Sequence, residues 1–307
     1  MTLSRRTLMA APLAAAAALA AGDPGRAGAA AAGTAGDNAL WIWNTGRADW
    51  PRVAGTMRRE GFGTAYLSIP PADRAGMTGP ALDAALATFA GRGITVLLVG
   101  GDPGWADGRA QPPALAELLR LAAAARGVAG VQLDIEPYTL PLWKSGAEGR
   151  ARIAAALADR LAEARGALSG SGKRLGMVLH PAFANAPGAG RGNAGLGNSG
   201  LDTLADAVAA LSDELVVMAY RNRPDATERF AARLLASLDA APKPWRFGVT
   251  VQGGPEQATI SYADAPYQRV KDDMAALDTL ARARPAGAQY RGVAVHAWAS
   301  LAPKLER

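Results

Sequence analysis

The stretch Gly130-Val131-Gln132-Leu133-Asp134-Ile135-Glu136-Pro137-Tyr138 alternates strictly between two kinds of side chain. Val131, Leu133 and Ile135 are apolar and favour extended backbone, while Gln132, Asp134 and Glu136 share the opposite face. A strand with one oily face normally turns its polar face to water. This one lies among helical segments, as a strand of a parallel sheet covered on both sides does. Its polar row then points into the protein interior, where two carboxylates are costly unless hydrogen-bonded or put to use. Pro137 has no N–H for a ladder, so it ends the strand and leaves Glu136 at the carboxyl end. The competing reading is an exposed edge strand whose acids are merely solvated. The pattern on either side argues against an edge.

Strands are expected over residues 39–43, 64–69, 95–101, 174–180, 214–221, 245–252 and 291–299, with the opening stretch as the fourth. Helices are expected between them over residues 50–60, 81–90, 113–125, 148–168, 201–211, 226–238 and 268–284. Pro112-Pro113 opens the third helix, as proline at a first turn does. Eight strands with seven intervening helices predict a single (β/α)8 TIM barrel over residues 33–307. A doubly wound open sheet is the rival, and the regular repeats favour closure. The last helix is expected to be missing or reduced to residues 302–307, and a long Gly/Asn-rich loop, residues 181–200, to follow the fifth strand.

Residues 1–32 do not fit this alternation. Ser4-Arg5-Arg6-Thr7-Leu8 sets two arginines before an uncharged Ala/Leu run from Leu8 to Ala21, too short and alanine-rich for a stable membrane anchor. The segment resembles a twin-arginine export signal with an Ala/Gly-rich linker, cleaved between Ala20 and Ala32, and implies a periplasmic or secreted protein. The chain has no cysteine, so disulfides and thiolate metal sites are ruled out. The net charge of +6 comes from arginines scattered along the whole chain beside few lysines. No basic run interleaves with aromatics, so nucleic acid is not an expected partner, whereas an anionic polymer stays open. No pattern in these residues speaks to oligomeric state.

In a parallel barrel the carboxyl ends of all strands converge on one mouth, where chemistry is done. Expected there are Trp43 after the first strand, Tyr66 in the second, and Asp102 and Trp105 after the third. Gln132, Asp134, Glu136, Tyr138 and Trp143 belong to the fourth, His180 to the fifth, Tyr220 and Arg221 to the sixth, Gln252 to the seventh, and His296 and Trp298 to the eighth. Broad aromatic faces stack on the C–H surfaces of sugar rings while polar neighbours take the hydroxyls. Each tryptophan alone suits a core better than a ligand platform. Their shared location points to carbohydrate.

These residues also carry a resemblance. The run from Ala129 to Glu136 resembles the Asp-Gly-x-Asp-x-Asp-x-Glu signature on the fourth barrel strand of family 18 glycoside hydrolases, the chitinase-like enzymes. Leu98-Val99-Gly100-Gly101 is similar to that family's Ser-x-Gly-Gly, Val217-Met218-Ala219-Tyr220 to its Met-x-Tyr, and Trp298 to the tryptophan of its eighth strand. The departures are specific. Ala129 and Gln132 replace the first two Asp, Leu98 replaces Ser, and Arg221 stands where the family usually has Asp.

The resemblance implies a polysaccharide or oligosaccharide substrate, with amino sugars a candidate, and Glu136 as general acid. Asp134 and Tyr220 would position an N-acetyl group acting as nucleophile, one of the exceptions to the two-carboxylate scheme. Asp134 lies two residues from Glu136 on the same face, roughly 7 Å along a strand. Its charge is expected to raise the pKa of Glu136. Glu256 and Asp102 are the nearest carboxylates for a conventional two-acid mechanism.

Other signals are weaker. Gly190-x-Gly192-x-x-Gly195 matches a dinucleotide fingerprint but lacks the strand-to-helix turn it requires, so no cofactor is expected. The loop around it suits a lid at the mouth. His180 and His296 could join Asp134 and Glu136 as metal ligands in a phosphodiesterase or amidohydrolase, but no His-x-His or His-Glu-x-x-His occurs and no metal is expected. There is no Gly-x-Ser-x-Gly elbow. A non-catalytic carbohydrate-binding barrel is the remaining alternative, favoured by the lost acids and opposed by the retained Glu136 and Tyr220.

Overall fold

A computed structural model describes residues 37–43, 48–69, 79–108, 112–188, 201–254 and 257–306. Eight parallel strands close into a barrel in chain order. They are β1 (Asn38–Ile42), β2 (Phe62–Ser68), β3 (Thr95–Gly100), β4 (Val128–Leu133), β5 (Arg174–Leu179), β6 (Glu214–Val217), β7 (Trp245–Thr250) and β8 (Tyr290–His296). Closure is made by β1 against β8, with Ala39 opposite Ala294 and Leu40 opposite Val295. The outer layer is α1 (Trp50–Arg59), α2 (Pro80–Ala90), α3 (Pro113–Ala124), α4 (Ala147–Leu168), α5 (Leu204–Leu211), α6 (Pro224–Ala240), α7 (Tyr267–Arg282) and α8 (Trp298–Leu305). The open-sheet rival is set aside by that closure, and the protein is a (β/α)8 TIM barrel.

Local chemistry sets where the helices begin. Proline occupies the first turn of α1, α2, α3 and α6, where its missing N–H is no loss. In α5 the start falls at Leu204 rather than residue 201, because Thr203 and Asp206 form a capping box. Among the described residues no helix is long and apolar enough to cross a membrane. The export segment, the glycines of the 190–195 fingerprint and Glu256 lie outside the described residues.

Strand parity divides the interior into two cores. Leu40, Leu98, Val131, Leu133, Phe247 and Val295 face outward into the layer between barrel and helices. Trp41, Leu97, Val178, Val216 and Ala294 face inward and pack together inside the barrel. The amino end of the barrel is closed by charge. Arg246 of β7 is buried, its Nη2 donating to Thr64 Oγ1 at 3.2 Å and its Nη1 to Tyr66 Oη at 3.3 Å. Its Nη1 also lies 3.9 Å from the buried Glu214, which Arg174 meets at 3.2 Å. Burial works against the Arg246 charge, but Tyr66, Glu214 and Asp37 outweigh it and raise its pKa further.

The strands end earlier than the apolar pattern suggests. β6 stops at Val217 rather than residue 221, β7 at Thr250 rather than 252, and β8 at His296 rather than 299. Single bonds continue past the ladders, from Met218 N to Leu179 O at 2.8 Å and from Val251 N to His296 O at 2.7 Å. The last helix is short, as expected, but begins at Trp298 instead of residue 302. Leu301 is buried under it, and Lys304 Nζ donates to Ala265 O at 2.8 Å, which seats the helix across the end of the barrel wall.

Candidate active site

Asp134 and Glu136 leave β4 at the carboxyl mouth. Asp134 N still donates to Gly100 O at 3.0 Å, so the segment keeps the inward side it had in the strand. Gly101 permits this approach. A Cβ at that position would lie 1.7 Å from the Asp134 carbonyl oxygen, so only hydrogen fits. The two glycines have separate reasons: the chain leaving β3 at Gly101 runs hard against the backbone that carries Asp134, whereas a side chain at Gly100 would meet Leu118.

Asp134, Glu136, Tyr138, His180, Tyr220 and His296 are all half-buried, in contrast to the sealed inward residues beneath them. Asp134 retains some exposed surface, yet its Oδ1 is enclosed and has no hydrogen-bond partner. Burial, and then the charge of Glu136, push the Asp134 carboxyl up from 3.8 to about 7. On Asp134 loss of water is the larger cause and the neighbouring charge the smaller, and only the charge can be read from the spacing in the sequence. Interacting carboxyls lose protons in steps that belong to the pair. A proton held to about neutrality is therefore available at this site.

Two tyrosines flank the acids. Tyr138 is hydrogen-bonded to Glu136, and burial followed by the Glu136 charge raises its pKa. Tyr220 is raised by burial and then by Asp134, Glu136 and Tyr138. Both therefore remain phenols and hydrogen-bond donors. A Cβ on Gly248 of β7 would come within 3.1 Å of Tyr220 Cε1, so that glycine gives the ring its place. Tyr138 stacks on His180 with centroids 4.0 Å apart. His296 meets Trp41, Trp43 and Tyr220 at 5.9, 6.1 and 6.2 Å, forming an aromatic floor. Burial alone lowers His296 to about 4, and burial with the Arg221 charge lowers His180 to about 4, so both rings are neutral at pH 7.

Gln132 lies beneath Asp134, fully buried, with neither amide atom partnered. A Cβ on Gly176 would sit 2.1 Å from Gln132 Oε1, so β5 makes room for this side chain. The indole N–H groups of Trp41 and Trp43 are also buried without partners. Gln132, Asp134, Trp41 and Trp43 thus share buried, unpartnered polar atoms on the inward side of the barrel.

Several expected site residues lie elsewhere. Tyr66 is sealed inside the barrel with its hydroxyl in the Arg246 cluster at the opposite end. Trp105 and Trp143 pack in the outer layer, and Trp298, expected to face inward from β8, starts α8 and packs half-buried against that same layer. Asp102 is exposed and accepts the Gly104 N–H at 2.7 Å, capping a turn. Gln252 is exposed and lines a cleft of about 850 Å³ with Trp43, His296 and Trp298. Among the described residues neither carboxylate lines that cleft, which shares Trp43 and His296 with the mouth. Gly101 enters the sequence reading only through the Ser-x-Gly-Gly resemblance, and Trp41, Gly176 and Gly248 do not enter it as site residues. Trp41 shares parity with Trp43, and the glycines sit at strand positions where close approach is the usual reason for glycine.

Among the described residues no three His, Asp or Glu side chains gather as a metal-ligand set. Asp134→Asn gives a direct check on the buried acid. With a folded pKa of about 7 against 3.8, Asp134 favours folding fully below about pH 4, and that stability is lost as pH rises towards 7. The variant is expected to raise Tm by about 5 °C at pH 8 and hardly at all at pH 4. Equal shifts at both values, measured by thermal unfolding, would rule out the buried proton.

No protein-family model matches the chain, and no curated protein sequence matches it. Solved structures do. A GH18 chitinase from Pseudoalteromonas aurantia superposes with a TM-score of 0.53 at 13% identity, covering 86% of this chain and 94% of the chitinase. The fold is shared with GH18 chitinases and related glycoside hydrolases. The PgaB (BpsB) glycoside hydrolase domain from Bordetella bronchiseptica gives 0.52 at 11% identity, covering 86% and 95%. A catalytic domain of Ostrinia furnacalis group II chitinase, solved with a penta-N-acetyl chito-oligosaccharide, gives 0.51 at 13% identity, covering 84% and 88%. These are distant structural kin. At such identity the likeness establishes architecture, and the chemistry must be argued from the site.

Proposed function

We propose that the protein is an exported glycoside hydrolase that cleaves a polysaccharide or oligosaccharide, with Glu136 as general acid. The observation that carries this reading is the acid pair at the barrel mouth, where burial of Asp134 keeps a proton to about pH 7. Glu136, half-buried and hydrogen-bonded to Tyr138, passes to the leaving oxygen the proton that the pair holds, and the pair is left with both carboxylates charged. Asp134 and the Tyr220 phenol orient the group that attacks the anomeric carbon from the other side. Trp43 and the His296 floor offer the apolar surface that a sugar ring covers.

A binding-only barrel is the second reading, favoured by the uncharged Gln132 beneath Asp134. The experiment is release of reducing ends from defined amino-sugar and neutral oligosaccharides, with and without a chelator. Cleavage that ignores the chelator supports the hydrolase; binding without cleavage by the wild type supports the second reading. Export rests on Arg5 and Arg6. The Arg5→Lys, Arg6→Lys chain is expected to stay in the cytoplasm with its N-terminus intact, and undisturbed export would remove that part of the proposal.

A further inference from the structure

The β5–β6 side of the mouth carries a cation that the hydrolytic scheme does not use. Arg221 directly follows Tyr220, and its guanidinium carbon lies 3.7 Å from the centroid of the Phe230 ring. Its Nη1 donates to the Tyr220 carbonyl at 2.6 Å. Among the described residues no carboxylate pairs with it, whereas its chain neighbours Arg223 and Arg229 both pair with Asp225. Phe230 is the one large apolar side chain exposed among the described residues, at 38%.

This wall is continuous with the acids. Phe230 meets the His180 ring edge-on at 6.0 Å, His180 stacks on Tyr138, and Tyr138 is hydrogen-bonded to Glu136. Phe230 meets both Arg221 and His180, so the guanidinium stands beside the same surface. His180 accepts the Ala182 N–H at Nδ1 at 3.1 Å and is neutral, so Arg221 supplies the positive charge here. The family resemblance has Asp at this position, so the sign of the charge is reversed. The guanidinium is held over the Phe230 ring with Nη1 committed to the Tyr220 carbonyl, which leaves Nε and Nη2, the other side of the fork, to donate two hydrogen bonds to a carboxylate. An exposed ring beside it suits the apolar face of a pyranose.

We propose that this wall binds a carboxylate carried by the sugar, a uronic acid or a carboxyl-bearing ether substituent, with Arg221 as counter-ion and Phe230 as the platform under the ring. The inference rests on the carbohydrate reading of the site and narrows it to anionic glycans.

The test is calorimetric binding of N-acetylglucosamine–glucuronate oligosaccharides, and of the same oligosaccharides with their carboxyls reduced to alcohols. Wild-type protein is expected to prefer the carboxylated form by about 10–100-fold, the range of a charge-assisted hydrogen-bonded pair. The preference should shrink as salt is raised. Arg221→Gln is expected to abolish it while leaving affinity for the reduced form within about two-fold, and Arg221→Lys to retain part of it. Equal thermal stability of the variants certifies their folding, and if glutamine disturbs it the lysine variant carries the comparison. No wild-type preference, including no binding of either form, overturns the inference, as does an equal loss of both affinities in Arg221→Gln. The two readings fail separately. Cleavage of neutral chito-oligosaccharides without carboxylate preference removes the anionic wall and keeps the hydrolase. Carboxylate preference without any cleavage keeps the wall and removes the enzyme.

Discussion

Glu136→Gln is expected to slow glycoside cleavage by roughly 10²–10⁴-fold while oligosaccharide binding survives. The amide keeps the size of the acid and can still meet the Tyr138 hydroxyl, but it has no proton to give. Substrates whose leaving groups need no protonation should be affected far less, and that contrast isolates proton delivery from positioning. Folding should be intact, because the amide keeps the size of the acid and its contact with Tyr138. Initial rates on an activated and an unactivated glycoside of the same sugar provide the measurement. If both substrates are cleaved at the wild-type rate, Glu136 is not the acid.

The second large effect concerns stability, at the far end of the barrel. Arg246→Met is expected to destabilise the protein by about 3–5 kcal/mol, because Glu214 is left buried without its interior cation. Arg174 meets Glu214 from a more exposed position and compensates only in part. Adding Glu214→Gln to Arg246→Met should recover much of the loss, since the uncompensated charge is then gone. Thermal unfolding should show the single variant lower by on the order of 10 °C. A loss below about 1 kcal/mol would mean that the charges closing the barrel are solvated and hold nothing together. Neither variant touches the mouth, so binding by the folded fraction should not change.

The alternation around Asp134 and Glu136, repeated in eight short apolar runs, determined the barrel and the face on which its acids stand. Those properties are local. Period-2 parity and proline at first turns act over a few residues, so the sequence displays them directly. It also displayed the mouth residues Tyr138, His180, Tyr220 and His296, because parity and strand ends suffice to place them. Depth and company are a different matter. Tyr66 has the right parity but sits too low, and its hydroxyl joins Arg246, 180 residues along the chain. Trp105, Trp143 and Trp298 lie near strand ends yet turn into the outer layer and pack there with the apolar side chains between barrel and helices. The proton on Asp134 depends on desolvation by surrounding strands, which no spacing within β4 encodes. Gly101 and Gly176 matter only because another strand's atoms lie where their side chains would be. Strand identity and facing were therefore fixed by neighbours in the chain, whereas burial, protonation and the pairing of Arg221 with Phe230 were decided by neighbours in space.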